Sequence, residues 1–153
     1  MKIYIATDHA GYEMKEALAS YLEKDLGYTV ADKGAHQHDS NDDYPDFIQL
    51  VAQEVSRDPS GSQGIILGGS GQGEAIVANR FPNVRAVIYY GGPIEIVKLS
   101  REHNNANVLS LGARFLSLDA AKEAVKLWLD TSFSGEERHS RRLKKIEQIW
   151  PYH

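Results

Sequence analysis

The chain has 153 residues, of which 42% are hydrophobic and 25% charged; its formal net charge is −4 and it has no cysteine. This size suits one domain around one core, and the acidic balance argues against a general binder of nucleic acid or of anionic membranes. The lack of cysteine excludes a disulfide framework, a thiolate nucleophile and a zinc ribbon. Because Asp8 and His9 come too early for a signal peptide and no apolar run approaches about 18 residues, we expect a cytoplasmic protein without a membrane partner.

Segments typical of strands and helices alternate along the first half of the chain. A first strand is predicted at residues 2–7, and the helix after it ends at Gly27. The apolar face of that helix consists of Met14, Ala17, Leu18 and Tyr21. A short second strand at residues 29–31 and a third at 64–67 flank a second helix, which stops at residues 58–61. The apolar stripe of this helix consists of Ile48, Val51, Ala52 and Val55.

The same alternation continues in the second half. Predicted elements are a helical turn or two at residues 75–80, a fourth strand at 85–89, a helix at 93–102 and a fifth strand at 107–111. Two helices follow, separated by a break at residues 134–135. Their apolar positions are Ala121, Ala124, Val125 and Trp128 in the first, and Leu143, Ile146 and Trp150 in the second. Such alternation predicts an α/β fold, a Rossmann-like three-layer αβα sandwich with about five parallel strands in one domain.

The most informative segment is a glycine loop, Gly68-Gly69-Ser70-Gly71-Gln72-Gly73-Glu74, which follows the apolar third strand. Its four glycines in six positions let backbone N–H groups crowd around an anion. A nucleotide-binding P-loop would need Lys in place of Glu74, and a nucleophile elbow would need Gly in place of Gln72. The dinucleotide fingerprint G-x-G-x-x-G does not fit either. The loop therefore predicts a cradle for developing negative charge, with a carboxylate beside it.

Polar residues follow three of the predicted strands. Asp8 and His9 follow the first strand, Ser70 and Glu74 the third, and Arg114 the fifth. Ligands bind outside the carboxyl ends of the strands in sheets of this type, so these side chains are candidates for one site. Taken singly, an Asp-His pair is also typical of a helix cap, and a glycine turn of a tight connection.

Two more clusters lie outside those loops. His103 and Asn104 supply an imidazole and an amide, for hydrogen bonding or proton transfer or simply as a polar turn after a helix. Arg138 and Arg142 lie one helical turn apart, and either converge on one phosphate or form a solvated charged face.

A third cluster offers groups of the kind that bind metals. Its members are His36, His38, Asp39, Asp42 and Asp43. The spacing defines no metal site, so we expect this loop to be solvent-exposed.

Five motifs occur in one order along the chain: Thr7-Asp8-His9-Ala10-Gly11-Tyr12, Asp43-Tyr44-Pro45-Asp46, the glycine loop with Ala78-Asn79, Arg101-Glu102-His103-Asn104 with Ala106-Asn107, and Arg138-His139 with Arg141-Arg142. In this combination the chain, from Lys2 to about Ile146, resembles the type B ribose-5-phosphate isomerase and galactose-6-phosphate isomerase family. The resemblance implies a Rossmann-like homodimer, sometimes paired into a tetramer, that interconverts ribose 5-phosphate and ribulose 5-phosphate without metal or coenzyme. It also implies that both subunits contribute to each active site in a cleft at the dimer interface. The C-terminal helix, expected at residues 136–150, is predicted to pack there.

The resemblance also implies residue roles. The positions that match the family's substrate-binding groups are Asp8, His9, Tyr44, Gly69, Gly71, Gly73, Asn104, Arg114, Arg138 and Arg142. Among these, the backbone from Gly69 to Gly73 resembles an anion hole, Asn104 an enediolate ligand, and the three arginines phosphate ligands, with His9 nearby. His103 resembles the residue that opens the sugar ring. Ser70 of the glycine loop is predicted to be a catalytic residue, together with Glu74 and His103.

The position of the base departs from the commonest pattern of the family. Many members have a cysteine base where this chain has Gly68, and an apolar residue where it has Glu74. Another branch has this chain's arrangement and uses the carboxylate, so the resemblance implies that Glu74 is the base. One carboxylate is chemically sufficient to remove a proton and return it to the neighbouring carbon. A helix N-terminus favours the ionised form, whereas burial and a substrate anion disfavour it, so the direction of the Glu74 pKa shift stays open.

Two alternative functions also stay open. In the first alternative the substrate is a six-carbon phosphosugar such as allose or galactose 6-phosphate, which requires a deeper active-site cleft. Residues 89–92, after the fourth predicted strand, are placed to shape that cleft. A non-catalytic phosphosugar sensor is a hypothesis of another class. It predicts a missing base or histidine, whereas this chain retains Glu74 and His103.

Overall fold

All five predicted strands form, and they pair in one parallel sheet. The computed structural model describes residues 1–149, so Trp150 of the predicted last helix lies outside the described residues. The strands are β1 (Lys2–Thr7), β2 (Thr29–Asp32), β3 (Ser62–Gly68), β4 (Ala86–Tyr89) and β5 (Val108–Gly112). The helices are α1 (Tyr12–Ser20), α2 (Tyr44–Arg57), α3 (Gln72–Ala78), α4 (Glu95–Glu102), α5 (Leu118–Asp130) and α6 (Glu137–Ile149).

The strand order creates a crevice between β1 and β3. Across the sheet the order is β2-β1-β3-β5-β4, so the chain moves to one side of β1 to make β2 and to the other side to make β3. The segments that leave β1 and β3 therefore diverge, and such a switch point is where ligands bind in open parallel sheets. The register aligns Thr7 with Leu67 at the carboxyl end of this pair. The loops after β1 and β3 thus begin side by side.

Helices cover both faces of the sheet, and each face has its own core. In β3, Ile65 and Leu67 belong to the cluster that includes Trp128 of α5, whereas Ile66 belongs to the cluster under α2. This alternation follows from the two-residue period of a strand. The predicted stripe of α2 is fully buried, as are the four predicted positions of α5. The predicted three-layer α/β sandwich is confirmed.

The first and last helices differ from the sequence prediction. In α1 the buried positions are Lys15 and Leu18, and Lys15 is buried because its ammonium group pairs with Asp32 at 2.5 Å. In α6 only His139 is buried, Leu143 is partly buried and Ile146 is 55% exposed, so residues 1–149 cover the predicted apolar stripe of this helix only in part. None of the helices within residues 1–149 is long and apolar enough to cross a membrane.

Candidate active site

Glu74 lies in the first turn of α3 with its carboxyl group packed on Gly68 at the end of β3. The residue is only 4% exposed. A Cβ at position 68 would overlap the carboxyl group, so glycine is what allows the carboxylate to lie there. Gly68 and Glu74 therefore form one structural unit, in which the absence of one side chain makes room for the other.

Burial raises the pKa of Glu74 above its ordinary value of 4.5. Removal from water is the largest cause, because it disfavours the ionised form. A hydrogen bond from its own backbone opposes the shift, and the negative charge of Asp8 adds to it. This settles the direction that the sequence left open. A carboxylate with a raised pKa is a stronger base than an ordinary exposed one.

The glycine loop is held open by contacts with its neighbours. Gly71 has a φ of 80°, which favours glycine, and its carbonyl accepts a 2.6 Å hydrogen bond from Ser110 Oγ. The N–H groups of Ala113 and Arg114 donate to the carbonyls of Gly68 and Gly69, at 2.8 and 3.1 Å. The loop is thereby tied to the segment that follows β5.

Three predicted site residues lie along this loop. Arg114 Nη1 is 3.1 Å from the point that a Cβ of Gly69 would occupy, and the Tyr44 hydroxyl is 2.5 Å from the corresponding point at Gly73. The hydroxyl of Ser70 accepts a 3.3 Å hydrogen bond from the Gln72 N–H, so it stabilises the turn itself. Arg114 and Tyr44 thus lie beside different parts of the loop, Arg114 at Gly69 and Tyr44 at Gly73.

The turn after β1 contributes Asp8 and His9. Asp8 Oδ1 caps the short turn by accepting from the Ala10 N–H at 3.0 Å. His9 Nδ1 lies 2.6 Å from Asp42 Oδ1, and the His9 backbone N–H donates to that same oxygen at 3.1 Å. The Asp42 side chain is 8% exposed. The predicted solvent exposure of this loop is therefore wrong for Asp42, because His9 binds its carboxylate, and it is confirmed for His36, His38, Asp39 and Asp43.

Asp8, His9 and Asp42 also resemble a metal-ligand set, since one ligand atom from each lies within 4.8 Å of the others. The 2.6 Å between His9 Nδ1 and Asp42 Oδ1 is a hydrogen-bond distance. Two ligands bonded to one zinc ion at about 2.0 to 2.2 Å would lie farther apart than this. The geometry fits an imidazole bound to a carboxylate.

A cavity of about 530 Å³ opens beside His9 and Arg114. Its other lining residues are Ala10, Glu13, Met14, His38, Ala113 and Leu118. The guanidinium and the imidazole give it two nitrogen-bearing side chains that suit an anionic group. The cavity adjoins the glycine loop through Arg114, which lines the cavity and lies beside Gly69.

His103 and Asn104 lie at the amino ends of the strands, whereas Glu74 lies at their carboxyl ends. They follow α4, at the point where the chain turns back into the sheet to begin β5. The register of β3 and β5 runs from Gly64 opposite Val108 to Gly68 opposite Gly112. Four strand steps, on the order of 13 Å, therefore separate the two ends. Glu74 and His103 of the same chain therefore lie towards opposite ends of the strands.

Arg138, His139 and Arg142 of the C-terminal helix α6 lie on the side of His103 and away from Arg114. The His139 ring stacks on the His103 ring, with centroids 4.2 Å apart and planes 16° apart. Burial lowers the pKa of His139, and the nearby His103 and Arg138 lower it further. Arg138 and Arg142 are exposed on α6, and Arg138 Nε contacts Glu136 at 3.0 Å. Two of the predicted phosphate ligands, Arg138 and Arg142, therefore lie apart from the third, Arg114.

A buried carboxylate beside a glycine loop, at the switch point of a parallel sheet, is typical of an α/β enzyme with a small substrate. Residues 3–146 match the family model described as Ribose/Galactose Isomerase. The chain is 40% identical over 143 residues to ribose-5-phosphate isomerase B of Mycobacterium tuberculosis, covering 94% of this chain and 86% of that protein. The chain therefore belongs to the ribose/galactose isomerase family, and it is an isomerase of the intramolecular oxidoreductase class.

Solved structures agree with this assignment. Ribose-5-phosphate isomerase B from Mycoplasma genitalium with bound ribulose-5-phosphate has a TM-score of 0.93 at 35% identity, covering 99% of this chain and 97% of that chain. The Clostridium thermocellum ribose-5-phosphate isomerase B has a TM-score of 0.91 at 41% identity, covering 99% and 98%. The similarity extends over essentially the whole chain.

The predicted site residues thus form two groups, nine at the carboxyl ends of the strands, Gly69 and Gly73 of the glycine loop among them, and four away from it. The first group is Asp8, His9, Tyr44, Gly69, Ser70, Gly71, Gly73, Glu74 and Arg114, and the second is His103, Asn104, Arg138 and Arg142. Sequence reasoning missed Asp42 as a partner of His9. Its contact spans 33 residues of sequence, and the only available signal was its place directly before the Asp43-Tyr44 motif.

Proposed function

We propose that this chain is a type B ribose-5-phosphate isomerase that interconverts ribose 5-phosphate and ribulose 5-phosphate through an enediolate. The observation that carries the proposal is the buried carboxyl group of Glu74, packed on Gly68 beside the glycine loop. The similarity to proteins named ribose-5-phosphate isomerase B, one of them with bound ribulose-5-phosphate, supports this substrate.

Glu74 acts as the base in this proposal. In the open-chain aldose it removes the C2 proton, the C–H electron pair forms the C1–C2 double bond, and the carbonyl electrons move to O1. Glu74 then returns the proton to C1, while the proton of the C2 hydroxyl moves to O1 and leaves the C2 carbonyl of the ketose. Backbone N–H groups of the glycine loop stabilise the enediolate oxyanion, and such donors are each worth on the order of 3 kcal/mol in other enzymes.

Two subunits complete each site in this proposal. Arg114 and His9 bind the phosphate from one chain, and Arg138 and Arg142 of the partner subunit bind it from the other. His103 of the partner subunit opens the sugar ring, and Asn104 of the partner subunit contacts the enediolate. The two groups lie at opposite ends of the strands of one chain, and this separation supports the division. They meet only if a second copy places its His103 and Arg138 at the cleft of the first.

The exposed apolar side chains support a second copy of this chain as the partner. They lie on α3, on the edge strand β4, in the loops after β4 and β5, and on α6: Ile76, Ile88, Tyr90, Phe115, Ile146 and Ile149. The rings of Tyr90 and Phe115 lie 5.9 Å apart, and exposed apolar side chains that adjoin one another are typical of interaction sites. An uncovered edge strand is also an unfavourable feature that association removes. We therefore propose a homodimer in which α6 packs against the partner.

The substrate is tested by a coupled isomerisation assay on ribose 5-phosphate, allose 6-phosphate and galactose 6-phosphate. We expect the largest kcat/KM for ribose 5-phosphate. A preference for either six-carbon substrate would contradict the substrate proposal and leave the isomerase chemistry intact. Binding of all three sugar phosphates without turnover would instead identify a sensor.

The raised pKa of Glu74 predicts the acid side of the pH profile. A base must be ionised, so activity is present above its pKa and lost as the pH falls through it. We expect this loss at higher pH than for an ordinary glutamate, since burial raises the pKa. Asp8→Asn removes the neighbouring negative charge and keeps the oxygen that caps the turn, so the acid limb of kcat/KM should move to lower pH. The substrate phosphate titrates identically in both enzymes. An unmoved limb would show that another group controls it.

A further inference from the structure

Asp42 binds His9 through two contacts on one oxygen. Asp42 Oδ1 accepts the His9 backbone N–H at 3.1 Å and lies 2.6 Å from the ring nitrogen Nδ1. Asp42 lies in the loop before α2, and His9 lies in the turn after β1, so the pair also ties these two loops together. A side chain bound both at its backbone and at its ring has little freedom to rotate. With Nδ1 on Asp42, Nε2 is the ring nitrogen that remains for a ligand.

The burial of Asp42 adds an electrostatic consequence. Oδ2 is buried, and no donor within the described residues 1–149 reaches it. A carboxylate removed from water is costly unless a cation lies beside it, and the His9 ring is the group in contact with it. The pair is therefore most stable when the imidazole carries both protons.

The charged and titratable groups around His9 come from several elements. Asp42 raises the pKa of His9 above its ordinary value of 6.5 through the hydrogen bond, which is the largest cause. Partial burial lowers it, the charge of Asp8 raises it, and Arg114 lowers it. Glu13 of α1 and His38 line the same cavity, and the His9 and His38 ring centroids are 6.2 Å apart. The net shift is upward, so the cationic form persists to higher pH than in an isolated histidine.

We propose that Asp42 is a positioning residue that fixes the orientation of the His9 ring and keeps it cationic, so that Nε2–H donates to the substrate phosphate. This inference rests on the proposed function for the presence of a phosphate in the cavity. Arg114 then supplies a charge that pH does not change, and His9 supplies one that depends on Asp42. Substrate affinity falls as the pH rises through the His9 pKa, and Asp42 moves that fall to higher pH.

The kinetic test is Asp42→Asn, which keeps the shape and an acceptor oxygen and removes the charge. We expect KM to rise on the order of tenfold above neutral pH, the size of a lost charged hydrogen bond, with kcat nearly unchanged. The rise in KM with pH should begin at lower pH than in the wild type. Asp39→Asn is the matched control, because it removes an exposed carboxylate from the same loop, and it should leave KM unchanged. Equal KM values for the two variants, or a loss confined to kcat, would overturn the positioning role.

A spectroscopic test does not depend on turnover. The six histidines are labelled with ¹⁵N, and the His9 signals are identified by their loss in His9→Gln. In the wild type His9 should titrate above 6.5, and inorganic phosphate should move its Nε2 signal; in Asp42→Asn both the pKa and the phosphate affinity should fall. A wild-type His9 that titrates at or below 6.5 overturns the proposal without any variant. If the wild type does not isomerise ribose 5-phosphate, the proposed function fails, while the titration still decides the role of Asp42.

Discussion

Replacing Glu74 by Gln should reduce kcat by at least about 10²-fold, the lower end of what a lost general base costs. Gln keeps the length and the hydrogen-bonding atoms of the side chain, but it cannot accept the C2 proton. The space beside Gly68 that holds the carboxyl group also holds an amide, so the variant should fold and bind sugar phosphate. Loss of kcat with little change in substrate binding is the signature of an interaction made in the transition state.

Two measurements make this result specific. Exchange of the substrate C2 proton with solvent should fall in parallel with kcat, because exchange reports the same abstraction step. Glu95→Gln is the matched control: Glu95 is an exposed acid in the first turn of α4, as Glu74 is a buried acid in the first turn of α3. The control should keep full activity. Near-normal kcat and exchange in Glu74→Gln would show that another group takes the proton.

A dimer made of one Glu74→Gln subunit and one His103→Asn subunit should recover activity that neither variant has alone. Each parent variant should lose about 10²-fold or more, since each lacks an acid-base group. If each site takes Glu74 from one chain and His103 from the other, the mixed dimer has one site with both defects and one site with none. It should therefore show roughly half of the wild-type activity.

The mixed dimer is obtained by co-expressing the two variants with different affinity tags and purifying on both tags in turn. A wild-type dimer carrying both tags is the control for the tags. If both residues served a site within one chain, each site of the mixed dimer would keep one defect, and activity would stay at the level of the parents. A purified protein that is monomeric at assay concentration would contradict the shared site directly. Recovery below the expected half, but well above the parents, would still require two chains per site.

The sequence predicted those elements whose signal is local. The α2 stripe at Ile48, Val51, Ala52 and Val55 is fully buried, since a 3.6-residue period appears in the sequence whatever the helix packs against. The strands fall within one or two residues of their predicted bounds, because buried parallel strands are continuous apolar runs. Glu74 was recognised from its place directly after the glycine loop. The cytoplasmic location, the roles of the site residues and the dimer remain predictions.

Other features depended on distant parts of the chain. Lys15 is buried in α1 because Asp32, on a neighbouring strand, compensates its charge, and a pattern of apolar residues does not contain that information. The α6 stripe at Leu143 and Ile146 has the period of a buried helix, yet Ile146 is exposed within one chain. Periodicity identifies an apolar face but does not say whether that face is covered by the same chain or by another.

The sequence by itself determined the α/β order of elements, the glycine loop and the identity of its carboxylate, because each is written in consecutive residues. Only the tertiary structure decided that Gly68 makes room for Glu74, that Asp42 binds His9, and that His103 lies at the other end of the strands. These facts depend on strand order and register, which bring residues 33 positions apart into contact and hold residues 29 positions apart at opposite ends of the strands. Strand order is set by the packing of the whole core, so no single segment of the chain encodes it.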